Sequence, residues 1–241
     1  MQAAAQSDIG LVRSNNEDAF WCDPVRGIFI IADGIGGYKS GEVAAAMAIE
    51  IVSAELTVAM DKRLPEDQLI GAMSDAFNSA SKEIFAASQK EESNQGMASS
   101  LVTGVIQNSN CLIAHAGDTR AYLYHSRKLS QMTVDDTPVG IMLKRGYILP
   151  DKARTHPMKN VLLKSVGNKA TVETNITRFP VKPGERLLLC SDGLWSLVDA
   201  EVISETLAMN ADPQTACQSL IDLAKNAGGS DNITVVIANA E

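Results

Sequence analysis

The segment "SSLVTGVIQNSNCLIAHAGDTRAYLYHSRKLSQMT", residues 99–133, decides the fold class. It holds four strand-like runs, 99–107, 111–118, 120–125 and 128–133. Asn108-Ser109-Asn110 separates the first two, and Ser126-Arg127 separates the last two. Spacers this short, made of turn-forming residues, join antiparallel neighbours, whereas a parallel pair needs a dozen or more residues to cross over. The segment predicts two hairpins in succession. Strict alternation of strand and helix, the mark of a parallel doubly wound sheet, is thereby excluded.

Working outward, "AFWCD" (19–23) and "GIFIIAD" (27–33) predict two earlier strands. Two helical stretches follow them. One starts at Ser40, a possible N-cap, and runs Ala-rich through 60; the other opens with Pro65 and carries Leu69, Met73, Phe77 and Ile84 on one face. Met47, Met60 and Met73 fall in these patterns as core residues. Downstream, residues 135–160 read as irregular or partly helical. Then come a strand over 171–180, a Pro183-Gly184-Glu185 turn, and "RLLLCSD" (186–192). Helices follow Asp199 and Asp212-Pro213, and "NITVVIAN" (232–239) is the last strand. Strands in hairpin runs with helices in pairs predict an antiparallel α+β layered architecture.

The 241 residues carry a net charge of −8 and a pI near 5.0, which argues against a nucleic-acid or anionic-membrane binder driven by bulk charge. No linker, repeat or low-complexity tract interrupts the chain, so one domain, 1–241, is expected. Cys22, Cys111, Cys190 and Cys217 show no C-x-x-C spacing and read as reduced, packed side chains. The opening "MQAAAQSDIG" has neither the basic nor the apolar region of a secretory signal, and no apolar run reads as long enough to span a bilayer. A cytoplasmic setting without membrane insertion is the expectation.

Carboxylates stand at the ends of apolar strands. "IFIIADGIGG" (28–37) delivers Asp33, and "LLLCSDGLW" (187–195) delivers Asp192. Asp118 follows "CLIAHAG", and Asp231 precedes "NITVVIA". Strand ends are rigid, and carboxylates gathered by them repel one another unless a cation relieves the repulsion. An all-oxygen donor set suits Mg²⁺ or Mn²⁺, while His115, His125, His156 and the cysteines lack zinc spacing. The glycines after Asp33 and Asp192 permit close backbone approach, which would let Gly34 offer its carbonyl to a metal. "GIGGYKSG" is neither a P-loop nor a dinucleotide fingerprint, since Lys39 stands where the third glycine is required. Neither Asp33 nor Asp192 has the second Asp, two residues away, that a phospho-aspartyl phosphatase needs.

With these residues in view, the sequence resembles the metal-dependent protein phosphatases of type 2C, in their compact bacterial form. "DIGLVRSNNEDAF" resembles the family's G-x-x-R-x-x-N-E-D opening, and "IADGIGGYKSGEVAA" its V-A-D-G-M-G-G motif. "QGMASSLVTGVI", "AHAGDTRAYLY", "HPMKNVLLKSVG", "LLLCSDGLWSLV" and "GGSDNITVVIA" continue the match in order over nearly the whole chain.

The resemblance implies a four-layer α-β-β-α sandwich of two antiparallel sheets flanked by helix pairs. It implies a serine/threonine protein phosphatase in which a water activated by two Mn²⁺ or Mg²⁺ ions attacks the phosphoryl group directly. Asp33 would bridge the ions and the Gly34 carbonyl would complete one of them. Asp192 and Asp231 would ligate the other, and Glu17 would hold metal-bound waters. Asp118 matches the ligand of a third, weaker site shared with Asp192. Arg13 would clamp the substrate phosphate, although without its motif a surface salt bridge is the plainer reading of such a residue. Ile35 and Tyr38 stand where relatives carry His, so the general acid is open. Ala98-Ser99-Ser100, Asp136 and Lys159 also depart from the family pattern, the last two near a flap over roughly 135–160. His156 reads as a structural hydrogen-bonding residue, and Trp21 and Trp195 as packing beneath the metal-site motifs. Expected partners are phosphoproteins made by a eukaryotic-like Ser/Thr kinase, with the chain a monomer. A catalytically weak phosphoprotein-binding regulator and a hydrolase of small phosphate esters are the alternatives.

Overall fold

A computed structural model of the chain describes residues 1–36, 40–154 and 156–241. Among the described residues, ten strands form two five-stranded antiparallel sheets. Sheet one contains β1 (Gln2–Asp8), β6 (Arg120–His125), β7 (Lys128–Gln131), β9 (Arg186–Cys190) and β10 (Ile233–Asn239), in the order β1-β10-β9-β6-β7. Sheet two contains β2 (Asp18–Asp23), β3 (Ile28–Ile35), β4 (Ala98–Gln107), β5 (Asn110–Ala116) and β8 (Asn175–Pro180), in the order β2-β3-β4-β5-β8. Helices α1 (Ser40–Asp61) and α2 (Glu66–Ser88) cover sheet two. Short α3 (Pro138–Lys144) and α4 (Pro150–Arg154) occupy the predicted irregular segment, and one-turn α5 (Asp192–Trp195) follows β9. Helices α6 (Ala200–Met209) and α7 (Pro213–Asn226) cover sheet one.

Period-two alternation produces the layers. On β3, Ile28, Ile30 and Ala32 pack toward α1 and α2, while Phe29 and Ile31 pack between the sheets. On β9, Leu188 and Cys190 pack toward α6 and α7, while Leu187 and Leu189 meet Phe29 and Ile31 between the sheets. Three apolar clusters therefore separate four layers, as the α-β-β-α expectation requires.

Both predicted hairpins form, with two-residue loops. Asn108-Ser109 (φ 50° and 61°) and Ser126-Arg127 (φ 48° and 62°) take the positive dihedrals of a tight hairpin turn, which leaves Asn110 inside β5. The strands of the two hairpins do not join one continuous sheet. β5 belongs to sheet two and β6 to sheet one, so Gly117-Asp118-Thr119 is the crossing between sheets.

Three expectations need correction. The strand predicted from 171 begins only at Asn175. Trp21 is 41% exposed on edge strand β2 and does not pack beneath the site. Helix α1 is, by length and composition, apolar enough to cross a bilayer, contrary to the sequence reading; here Ala44, Ala45, Ala48, Val52 and Leu56 are buried in the core against sheet two. The cysteines are free, and burial pushes the Cys190 and Cys217 thiols up to about 12.

Candidate metal centre

Antiparallel pairing brings the strand-end carboxylates to one end of the sandwich. β9 and β10 pair Cys190 with Val235, so Asp192 after one and Asp231 before the other lie side by side. In sheet two, Asp33 pairs with Ser100 and Leu101 with Ala116, which puts Asp33 and the crossing residue Asp118 at matching ends. β1 ends opposite Ile233 and β2 begins opposite Asp33, so the intervening loop with Arg13 and Glu17 reaches the same place. Asp33, Asp118, Asp192, Asp231, Glu17, Gly34 and Arg13 all line one cleft of about 410 Å³, together with Ile35 and Asn160. Every sequence-predicted site residue is therefore brought together.

Backbone contacts hold this end rigid. Gly34 donates its N–H to the Glu17 carbonyl at 3.0 Å, and a Cβ at Gly34 would fall 2.0 Å from the Gly41 carbonyl oxygen. Asn232 closes the other side: its Oδ1 accepts from Glu17 N at 2.8 Å, and its Nδ2 donates to the carbonyls of Ile9 and Asn15 at 3.0 and 2.9 Å. Asn232 and Asp18 are the supporting residues at this end that sequence reading did not single out. Asp18 sits directly across the strand pair from Asp33 and accepts hydroxyl hydrogen bonds from Ser191 at 2.7 Å and Thr234 at 2.6 Å. Both lie inside recognised motifs, "NNEDAF" and "SDNITV", so the signal was the motif letter itself.

The electrostatics are those of crowded like charges. Desolvation, then Asp18, Asp192 and Asp118, hold the Asp33 carboxyl well above the usual carboxylate range. Desolvation, then Asp118 and Asp231, do the same to Asp192, with Arg13 opposing. Asp118 is raised to about 6 by desolvation and Asp135, and Asp18 to about 6 by desolvation against its two hydroxyl donors. Glu17 is also raised, chiefly by desolvation.

Among the described residues, no Lys or Arg forms an ion pair with Asp33, Asp118 or Asp192. Arg13 does not stand free: its guanidinium binds the Asp231 carboxylate at 2.7 Å. Nor do any three His, Cys, Asp or Glu side chains among the described residues close on one point. The carboxylates are instead spread along the cleft. An all-oxygen set whose one ion-paired counter-charge among the described residues, Arg13, reaches only Asp231 fits hard divalent cations whose remaining positions are filled by carbonyl and water.

A model of the protein phosphatase 2C family matches residues 12–225. This chain belongs to the protein phosphatase 2C family. Among curated relatives, the serine/threonine protein phosphatase PstP of Mycobacterium tuberculosis is 34% identical over 239 residues, covering 99% of this chain and 45% of PstP. The chain thus spans about half the length of that relative. The serine/threonine phosphatase stp of Listeria monocytogenes is 33% identical, with 100% of this chain and 96% of stp covered. Among solved structures, the crystal structure of the M. tuberculosis phosphatase PstP matches with a TM-score of 0.90 at 34% identity, covering 100% of this chain and 98% of that one. The catalytic domain of PstP in complex with two manganese ions matches with a TM-score of 0.86 at 33% identity, covering 99% and 97%. The protein phosphatase 2C resemblance and the α-β-β-α sandwich expected from it are both borne out.

Proposed function

We propose that residues 1–241 form one catalytic domain that hydrolyses phosphoserine and phosphothreonine in proteins, using Mn²⁺ or Mg²⁺. The observation that carries this reading is the cleft itself: four aspartates from both sheets with an arginine at the rim, in a protein phosphatase 2C chain. When bound, a pair of divalent ions supplies a water of lowered pKa and positive charge opposite the phosphoryl oxygens. Asp33 would hold both ions and the Gly34 carbonyl one of them; Asp192 and Asp231 would hold the other. Glu17, fixed through its backbone to Asn232 and Gly34, would hold metal-bound waters at the cleft wall. Asp118 and Asp192 would share a third, weaker ion. Arg13 presents a planar fork that can exchange the Asp231 carboxylate for phosphate oxygens, bidentately, and neutralise charge that grows in the transition state. Ile35 has no proton to give a leaving group, and Tyr38 lies outside the described residues.

A pseudo-enzyme reading is disfavoured because Asp33, Asp118, Asp192 and Asp231 are all present. A eukaryotic-like Ser/Thr kinase is the proposed source of the substrates, and a cytoplasmic monomer the proposed state. The test is phosphate release from a phosphothreonine peptide titrated with Mn²⁺, beside an Asp231→Asn variant and an EDTA control. Metal-dependent release that the variant loses supports the activity and the ligand assignment together. Folded protein that releases nothing at any Mn²⁺ concentration would refute it.

A further inference from the structure

Asp118 lies on the crossing between sheets, where no strand pairing fixes its backbone; contacts from Asp136 and Trp195 fix it instead. On one side, Asp136 donates its N–H to the Gly117 carbonyl at 2.9 Å and takes the Gly117 N–H on its own carboxylate at 3.1 Å. On the other, the Trp195 indole Nε1–H donates to the Asp118 carbonyl at 3.1 Å. Trp195 closes the single turn of α5 that Asp192 opens, so one rigid turn carries Asp192 at one end and grips Asp118 with the other. The indole is itself held flat. The Arg120 guanidinium carbon lies 3.5 Å from the ring centroid. Arg120 in turn is forked onto Asp135 at 2.9 and 2.7 Å, and bonds the Tyr122 hydroxyl at 3.0 Å. Asp135 also accepts from Gln131 at 3.2 Å. Asp118 and Asp192 line the carboxylate cleft, whereas Arg120, Asp135 and Trp195 line a neighbouring cavity of about 320 Å³ beneath α3 and α4.

We propose that Trp195, clamped by Arg120, is a positioning residue that sets the separation of Asp118 from Asp192 and so the affinity of the divalent cation the two would share. This rests on the ligand roles given above for Asp118 and Asp192. A peptide carbonyl released from its donor lets the plane before Thr119 rotate, and the Asp118 carboxylate swings with it. The ring alone cannot prevent that; the indole N–H does. Arg120 works one step further out, because it keeps the indole plane, and hence the N–H direction, from rocking.

The experiment is a calorimetric Mn²⁺ titration of the full chain, comparing wild type with Trp195→Phe, Arg120→Lys and Asp118→Asn. Phe keeps an apolar ring under Arg120 and removes the N–H. Residues that orient metal ligands typically account for about 10–100-fold in affinity, so Trp195→Phe is expected to weaken the weakest Mn²⁺ site about tenfold and spare the tighter sites. Arg120→Lys, which keeps the charge but loses the fork and the stack, weakens the same site by less, and reports independently should the Phe variant not fold. In turnover, the Mn²⁺ concentration for half-maximal rate rises while the rate at saturating Mn²⁺ recovers, a split that general loss of structure does not produce. If Asp118→Asn loses the weak site while Trp195→Phe and Arg120→Lys bind within twofold of wild type, the positioning role is overturned and the ligand reading survives. If Asp118→Asn leaves the isotherm unchanged, both fall.

Discussion

Asp192 leaves β9 into a cleft where desolvation, Asp118, Asp231 and Asp18 disfavour its charge and outweigh Arg13, which favours it. In the metal-free protein this residue costs stability, a cost that its proposed role as a metal ligand would explain. Asp192→Asn is therefore expected to raise the metal-free thermal midpoint, by about 2–4 °C for each kcal/mol of repulsion removed, while Mn²⁺-driven phosphate release falls to the metal-free level. A lowered midpoint in EDTA would mean that the aspartate makes a stabilising contact instead. His115 shows the opposite balance of function and stability. It is 3% exposed and does not line the carboxylate cleft; Nε2 lies 3.0 Å from the Val134 carbonyl, so that nitrogen carries the proton, and buried Nδ1 has no partner among the described residues. Burial holds its pKa below 6.5, outweighing the Val134 carbonyl, Asp136 and Asp135, which raise it; Lys164 lowers it further. The neutral form is thus the folded form. Its contribution is present above pH 6.5 and is lost as pH falls from there toward the depressed folded value, at up to about 1.4 kcal/mol per pH unit. Denaturation of wild type and His115→Gln at pH 7.5 and 5.5 checks this: wild type loses more on acidification, and parallel losses would refute it.

Among the described α-helices, α5 is the shortest, at four residues. A Cβ on Gly193 would fall 2.0 Å from the Asn232 carbonyl oxygen, a backbone atom that cannot turn aside. Gly193→Ala must push α5 away from the start of β10, separating Asp192 from Asp231. The expected cost is about 3 kcal/mol, with Mn²⁺ affinity falling as well. Unchanged melting and unchanged affinity would show that the contact yields. The same elements mark what a reader of the sequence can find. β3, β4, β9 and β10 announce themselves because they are apolar on both faces, buried between a sheet and a helix layer. β1, "QAAAQSD", does not: it is polar or small, and its register comes from pairing with β10, a partner more than two hundred residues away. Helix α5 escapes because four residues carry no period. At the site, strand-end position exposed the four aspartates, and motif letters exposed Arg13 and Glu17. Trp195 was seen only as packing, because a donor's target, the carbonyl of a distant Asp118, leaves no trace in local sequence.

At the scale of the whole molecule, the proposed ligands join the two sheets. Asp33 comes from sheet two, Asp192 and Asp231 from the ends of sheet one, and Asp118 from the crossing between them. An ion held by Asp33 together with Asp192 and Asp231 would tie the sheets at the end where their charges otherwise push them apart. Binding to the folded state alone stabilises it by about 2.7 kcal/mol at a hundredfold excess over Kd. For a chain of this size that corresponds to a rise of about 5–10 °C in the thermal midpoint. Mn²⁺ is expected to produce that rise over EDTA, and Asp33→Asn and Asp231→Asn each to abolish most of it. A midpoint shift alone does not say where the ion acts, so amide hydrogen exchange supplies the location. If the ion bridges the sheets, amides at the end of β3 and the start of β10 slow together on adding Mn²⁺, and both lose the effect in either variant. Slowing confined to one sheet, or slowing that survives Asp33→Asn, would place the ion on a single sheet and remove the bridging role from Asp33.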